Sequence, residues 1–271
     1  MRCDRSCRNR ENHCYCTLHF GLLSSLVTFK GNRMFTQLLR TVAVYTTSFI
    51  LVACGGGGGG GGGGSNSGPM PSTSSFPLRA GYTALVSAGE TNNFAISGTC
   101  AGTATITDAA ATPSIFEGIA GFASTGTATF SLTNCTPASI ATSSTTYYDA
   151  NYIPLGVSTP GEEYAKFETV PPPFPTSIMV GDTAIYGTLI LYTDSSKAVT
   201  TGTRLLSYVV EADTVDTAII NLISKRYDNA AQLLGTQQTR YRIATNGALT
   251  IVSIDIQFST TSSTHLVLTK S

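Results

Sequence analysis

Apolar and polar residues alternate with a period of two in the C-terminal part of the chain. Over residues 252–259, Val, Ile, Ile and Phe alternate with Ser, Asp, Gln and Ser. Such alternation predicts a strand with one buried and one solvated face. Residues 239–243 alternate in the same way, and Asn246-Gly247 between the two runs is the dipeptide that tight hairpins prefer. The two runs are therefore predicted to pair as antiparallel strands.

Further apolar runs with turn residues between them predict more strands. They lie at residues 184–193, 204–211, 233–243 and 265–270, with shorter ones at 94–99, 104–107 and 126–132. Residues 217–227 are ambiguous, because Ile219, Ile223 and Tyr227 also fit a helix capped by Asp216, but their β-branched content favours a strand. The pattern predicts an all-β protein, either an antiparallel sandwich or two small β lobes, with the C-terminal part an up-and-down meander.

A different pattern precedes these strands, where an apolar run at residues 41–52 ends in Leu51-Val52-Ala53-Cys54. Basic residues lie before this run, which gives it the order of a signal peptide. The Leu-Val-Ala-Cys end resembles the lipobox of bacterial lipoproteins. This resemblance implies that Cys54 is lipidated and becomes the first mature residue. Because Gly follows the cysteine, it also implies an outer-membrane anchor facing the periplasm, with surface display as an alternative.

The leader divides the N-terminal part of the chain. Met34 is predicted to be the true start, which makes residues 34–53 the signal peptide and residues 1–33 a misassigned extension. The cysteines and histidines of that extension are residue types that bind zinc, but they lack paired Cys-x-x-Cys spacing and a core to hold a metal. We therefore expect no metal and no cofactor.

Ten glycines follow Cys54, and Gly, Ser, Asn, Pro and Thr dominate as far as residue 77. So little apolar surface cannot offset the entropy lost on folding, so residues 54–77 are predicted to be a tether. After Cys54 the chain carries nine Lys and Arg against fourteen Asp and Glu, a net charge of −5. No basic cluster offsets this charge, so we expect no nucleic-acid partner.

Cys100 and Cys135 are the only cysteines after Cys54. In an exported protein such a pair indicates a disulfide. Further along the chain, the Pro-rich residues 171–175 cannot join the interior of a sheet. They are predicted to separate a disulfide-containing lobe at residues 78–170 from a meander lobe at residues 176–271, or else to form an ordered crossover loop within one sandwich.

Patterns that indicate catalysis are few. The run from Gly98 to Gly102, with Cys100 at its centre, has the form of a hydrolase nucleophile elbow. However, strand residues rather than helix residues follow it, and Cys135 offers a disulfide partner. His265 is the only histidine after Cys54, so any Ser-His or Cys-His site would need it. We therefore assign no catalytic residue and expect the chain not to be an enzyme.

Tyr147, Tyr148, Asp149, Asn151 and Tyr152 form an aromatic and polar cluster. Tyrosine rings supply flat contact area and the Asp and Asn side chains supply polar contacts, so the cluster is a possible binding face for a sugar or a peptide. The alternative is a strand end and turn whose rings cover the edge of the core.

Three hypotheses for function follow. The first is a noncatalytic, lipid-anchored envelope protein that presents a β-rich binding or structural module to an unknown envelope protein or glycan. The second is a periplasmic carrier of an apolar ligand, which would need a large apolar cavity. The third is a hydrolase that uses two carboxylates, for which Glu162-Glu163 and Asp213 with Asp216 are the nearest pairs in sequence.

Overall fold

The computed structural model describes residues 72–259 and 264–271, which form one helix and thirteen strands. In chain order the elements are α1 (Leu78–Ala88), β1 (Glu90–Gly98), β2 (Ala101–Asp108), β3 (Thr112–Phe116), β4 (Ile119–Thr133), β5 (Ser139–Asp149), β6 (Pro154–Thr159), β7 (Glu163–Phe167), β8 (Thr183–Tyr192), β9 (Thr200–Ala212), β10 (Thr217–Tyr227), β11 (Leu233–Ala244), β12 (Leu249–Phe258) and β13 (His265–Lys270).

The predicted N-terminal extension, the signal peptide, the lipidation site Cys54 and the polyglycine run lie outside the described residues. The described part of the chain contains no helix with the length and apolar character needed to cross a membrane.

Twelve of the thirteen strands form one closed antiparallel barrel. Strands β4 to β13 pair with their neighbours in chain order, and β13 pairs with β1. β2 completes the ring because it pairs with both β1 and β4. β3 lies outside the ring and, among the described strands, pairs with β4 alone.

The prediction of an all-β protein is confirmed, whereas the prediction of a sandwich or of two lobes is wrong. β13 near the C-terminus pairs with β1, with Phe94 opposite Lys270. A closed sheet that joins both ends of the folded chain cannot be divided at residues 171–175. The C-terminal meander is present, and residues 217–227 form the strand β10. Alternation along a strand shows which residues face inward, but it carries no signal for a partner strand so distant in sequence.

The inward face of the barrel is mostly apolar, with Glu163 and Arg204 as a buried charged pair, and the outward face of its early strands is rich in Thr and Ser. In β4, Phe130 and Leu132 are buried, while Thr129 and Ser131 between and beside them are exposed. Inward side chains from around the barrel form one continuous core. Eight strands enclose a space that side chains alone can fill, so a twelve-stranded barrel needs further elements to close its ends.

One such element is α1, a helix that the alternation pattern does not indicate. Leu78, Tyr82 and Val86 recur every four residues and are buried in the core, while Arg79 and Ser87 are exposed. The helix therefore lies across one end of the barrel with its apolar face inward. Its 11 residues make about three turns, a length at which helix and strand patterns are difficult to distinguish.

Residues 171–175 close the same end of the barrel. Phe174 is buried, its ring stacks on that of Tyr186 with centroids 4.4 Å apart, and it meets the ring of Tyr82 on α1 at 4.9 Å. The backbone N–H of Arg79 donates to the carbonyl oxygen of Pro175. The Pro-rich run is therefore part of a loop between the adjacent antiparallel strands β7 and β8.

The last residues of the predicted tether belong to the folded domain. Phe76 is buried and forms a backbone pair with Ile178. Ser72 is also buried, and its Oγ donates to the carbonyl oxygen of Val215 at 2.7 Å. The composition of residues 72–77 is that of a tether, but the barrel provides hydrogen-bond partners for Ser72 and Phe76 that composition does not indicate.

The predicted disulfide between Cys100 and Cys135 is present, with Cα atoms 5.8 Å apart. It joins the turn after β1 to the turn after β4. β1 begins next to α1, so this turn lies at the opposite end of the barrel. The bridge therefore ties together two turns beside the place where β2 pairs with β4.

We expect Cys135→Ser to lower stability under oxidising conditions only. The bridge spans a sequence separation of 35 residues, and closing a loop of that length stabilises a protein by about 3 to 4 kcal/mol in the chain-entropy model. Urea unfolding with and without reductant measures this, and reductant should lower the midpoint of the wild type but not that of the variant. Identical wild-type midpoints in the two conditions would contradict the bridge.

We expect Gly81→Ala to destabilise the protein by about 1 to 3 kcal/mol, although Ala is the better helix former. A Cβ at position 81 would overlap the backbone carbonyl oxygen of Gly247 in the β11–β12 turn. Thermal unfolding followed by circular dichroism measures the effect. Ser87→Ala, on the exposed side of the same helix, is the matched control and should melt close to the wild type. A higher melting temperature for Gly81→Ala would show that the helix does not lie this close to the turn.

Candidate functional site

The five residues of the predicted aromatic binding face do not share one surface. Tyr147 faces outward on β5, whereas Tyr148 is buried in the core and approaches Tyr82. The carboxylate of Asp149 accepts the backbone N–H of Asn151 at 2.8 Å and so closes the turn after β5. Tyr152 stacks on Phe122, with centroids 4.6 Å apart. Because successive side chains of a strand point to opposite faces, the rings of Tyr147 and Tyr148 lie on opposite sides of the barrel wall. The residues therefore have the arrangement of a strand end followed by a turn.

One carboxylate of each pair considered for hydrolysis is engaged in an ion pair. Glu163 faces the interior, where its oxygens lie 2.9 Å from Arg204 Nη2 and 3.0 Å from Arg226 Nη1. Asp213 accepts a hydrogen bond from Arg242 Nε at 2.6 Å, and this contact lowers the pKa of the Asp213 carboxyl. A general acid needs a raised pKa, so the environment of Asp213 is of the opposite kind.

Cys100 and His265 also make structural contacts. Cys100 is oxidised in the bridge to Cys135 and lies between two strands, so the nucleophile elbow is not formed. The ring of His265 at the start of β13 has its Nε2 3.1 Å from Asp255 Oδ1 on β12. Within residues 72–259 and 264–271, no three His, Cys, Asp or Glu side chains are grouped so that they could hold a metal ion.

Side chains of several strands instead converge on the β3–β4 turn, Phe116–Gly118, which we call the hairpin tip. Glu117 and Gly118 have φ angles of 51° and 83°, and Phe116 pairs with Ile119 across them. Positive φ at both central residues is the requirement of a two-residue type I′ turn, which usually contains Asn-Gly. A Glu in the first position takes a backbone conformation that few non-glycine residues adopt.

The hairpin tip lies on an outer slot, which we define as Tyr147, Gly156, Tyr164, Lys166 and Lys197. The first four are neighbours on adjacent strands, since Tyr147 pairs with Gly156, and Gly156 with Lys166. Tyr148, Ala165 and Phe167 beside them face the core, so Tyr147, Tyr164 and Lys166 face outward, and Gly156 lies between them in the sheet. Lys197 comes from the turn between β8 and β9.

Phe116 fills the aromatic part of the outer slot. Its ring stacks on Tyr147 with centroids 4.6 Å apart and on Tyr164 at 5.5 Å, with interplanar angles of 26° and 22°. Beneath the ring lies Gly156, where a Cβ would overlap the ring. Phe116, Tyr164 and Leu155 form a small buried cluster separate from the barrel core. The missing side chain at position 156 is therefore what lets a ring lie flat on the outer wall.

Glu117 fills the charged part of the outer slot. Its Oε1 accepts hydrogen bonds from Tyr164 Oη at 2.6 Å and from Lys197 Nζ at 2.7 Å. Lys166 Nζ lies 3.4 Å from Oε2. The hydrogen bonds from Lys197 and Tyr164 lower the pKa of Glu117 from 4.5 to about 2. Burial and the neighbouring carboxylate raise the pKa of the Tyr164 hydroxyl, so this group remains a donor.

The outer slot therefore binds an aromatic ring and a carboxylate from two consecutive residues. It contains hydrogen-bond donors, positive charge and flat apolar surface, which are the elements of a recognition site. Tyr147 was in the predicted binding face, whereas the other four residues were not. Gly118 between apolar residues is a turn signal in the sequence, but nothing in the sequence indicates the surface on which that turn lies.

Comparison with known proteins gives no relative for this chain. No family model, curated protein or solved structure matches it.

We expect Glu117→Gln to destabilise the protein by about 1 kcal/mol at neutral pH, because the neutral amide that replaces the partly exposed carboxylate cannot form ion pairs with Lys166 and Lys197. The folded pKa of about 2 lies below the ordinary 4.5, so the stability from this contact is complete above about pH 5 and is lost as the pH falls toward 2. Melting temperatures of both proteins between pH 2 and 7 should therefore converge on acidification. A constant difference across this range would contradict the ionised contact.

Proposed function

We propose that this chain is a noncatalytic envelope protein, held at a membrane by lipid on Cys54, whose barrel is a rigid module for binding an envelope partner. The observation that carries the proposal is the outer slot, where residues of three strands and a turn converge on one ring and one carboxylate. Sites built on regular strands hold their contact groups more rigidly than sites built on loops.

The proposed anchor rests on the resemblance of Leu51-Val52-Ala53-Cys54 to a lipobox. Residues 55–71 lie between this cysteine and Ser72, where the described domain begins, and they are mostly Gly. A flexible Gly-rich segment of that length has a root-mean-square reach of about 23 Å. A module on such a segment can stand clear of the lipid surface and turn toward a partner.

The noncatalytic part of the proposal is supported by the contacts of the groups that could carry chemistry. Glu163 is shared by two arginines, and Cys100 is oxidised. A carrier is less well supported, because inward side chains that would line a ligand cavity are packed together in one continuous core. A site on the outer wall requires no opening of that core.

Cys54→Ser tests the anchor. Expressed from Met34 in a bacterial host, the wild type should gain the mass of two or three acyl chains and sediment with the outer membrane, because two or more chains give stable anchoring. The variant should remain unmodified and lose its membrane association. Cys135→Ser is the matched control, since it removes a cysteine elsewhere and should leave acylation unchanged. A membrane-bound Cys54→Ser protein with normal processing would refute the proposal.

A further inference from the structure

We infer that the outer slot is a binding site for a protein segment in which an aromatic residue is followed by an acidic residue, and that the hairpin tip is its internal competitor. This inference rests on the proposed binding function and names the class of partner. Phe116 and Glu117 themselves have this chemistry, so the present occupant of the slot defines the ligand.

The aromatic half of the slot selects a flat ring. Tyr147 and Tyr164 both stack on Phe116 at angles below 30°, and Gly156 leaves room beneath it. Aromatic pairs add stabilisation beyond the area that they bury, which a branched aliphatic side chain of similar volume would not gain. The slot therefore prefers Phe, Tyr or Trp to Leu or Ile.

The polar half of the slot selects a carboxylate. Tyr164 Oη and the ammonium groups of Lys166 and Lys197 surround Glu117. The two lysine side chains are 36% and 33% exposed and that of Glu117 is 24% exposed, so this half is open to solvent. Tyr164 contributes to both halves, with its ring to Phe116 and its hydroxyl to Glu117. A ligand must therefore present its ring and its acid on adjacent residues.

The hairpin tip can leave the slot without opening the barrel. β3 lies outside the ring, and the cluster around Phe116 is separate from the barrel core. The tip also keeps Glu117 at φ 51°, a conformation with a cost that its release would remove. Next to the tip, Ile115 is 71% exposed and Ile119 is 43% exposed. An internal occupant lowers the apparent affinity of any external ligand in proportion to the time that it fills the slot.

Vacating the slot tests the inference directly. In the full chain, the double variant Phe116→Ala/Glu117→Ala removes the resident ring and the resident carboxylate together. The double variant Phe116→Ala/Glu117→Lys also repels the tip from Lys166 and Lys197. The probe is a synthetic peptide of residues 114–119, Ser-Ile-Phe-Glu-Gly-Ile, added to each folded variant in a calorimetric titration. We expect saturable binding to both variants that is at least tenfold tighter than to the wild type.

Controls assign this binding to the slot. A peptide with Ala in place of Phe should bind at least tenfold more weakly, and one with Gln in place of Glu about fivefold more weakly. Adding Tyr147→Ala to the Phe116→Ala/Glu117→Ala chain should weaken peptide binding at least tenfold, because it removes one of the two rings that stack on the occupant of the slot. Two folded vacated variants that take up no peptide, or that bind the Ala peptide as well as the Phe peptide, would overturn the inference. The anchor is tested by Cys54→Ser alone, so either result can fail without the other.

Discussion

The rest of this structure depends on the closure of one sheet. β1 joins β13 across nearly the whole folded chain, and β2 joins β4 by skipping β3. Closure gives every strand of the ring two partners and removes the exposed edges that an open sheet would present. It also creates two ends that need covering. α1 and the Pro-rich loop between β7 and β8 cover one end, and the disulfide lies at the other end.

The position of the disulfide follows from the same closure. From β4 to β13 each strand pairs with the next strand in the chain, and most of these pairs are joined by a short turn that sets the register. Between β2 and β4 the chain leaves the ring to form β3, and no short turn sets the register there. Cys100 and Cys135 flank this seam, next to the pair Ala101 and Thr133. The covalent bond thus supports one of the two junctions in the ring, β2–β4 and β1–β13, whose strands are not consecutive in the chain.

The outer slot is a further consequence of the seam. β2 pairs with β4 as far as Asp108 opposite Gly126, and β3 takes over from Thr112 opposite Ala123. β3 therefore continues beyond the end of β2, and its turn reaches the outer wall. The ring of Phe116 can lie there because Gly156 offers no side chain, and Glu117 is held because three donors surround it. β3, the strand that lies outside the closed ring, therefore ends in the turn that occupies the proposed site.

The two-residue alternation predicted several strands and their buried faces, because a strand at the surface buries every second side chain and exposes the others. β3, β6 and β7 were not among the predicted strands. β12 and β13 lie where alternation and apolar runs placed them, β10 lies where its β-branched content favoured a strand over a helix, and the cysteine pair forms the expected bridge. Alternation could not reveal closure, since β1 and β13 meet only when the whole sheet curls. The pattern does not indicate α1, because a segment of 11 residues is too short to show the helical period clearly.

The residues of the candidate site also differ in whether the sequence could indicate them. Tyr147 could be named from the sequence as an aromatic contact residue, since its type alone suggests flat apolar area. Its partners Gly156, Tyr164 and Lys197 come from different parts of the chain, and only the paired strands bring them together. The sequence by itself determined an all-β chain with a disulfide bridge, because strand patterns and an isolated cysteine pair can be recognised locally. The tertiary structure decided the barrel and the slot, because both arise from contacts between residues far apart in the chain.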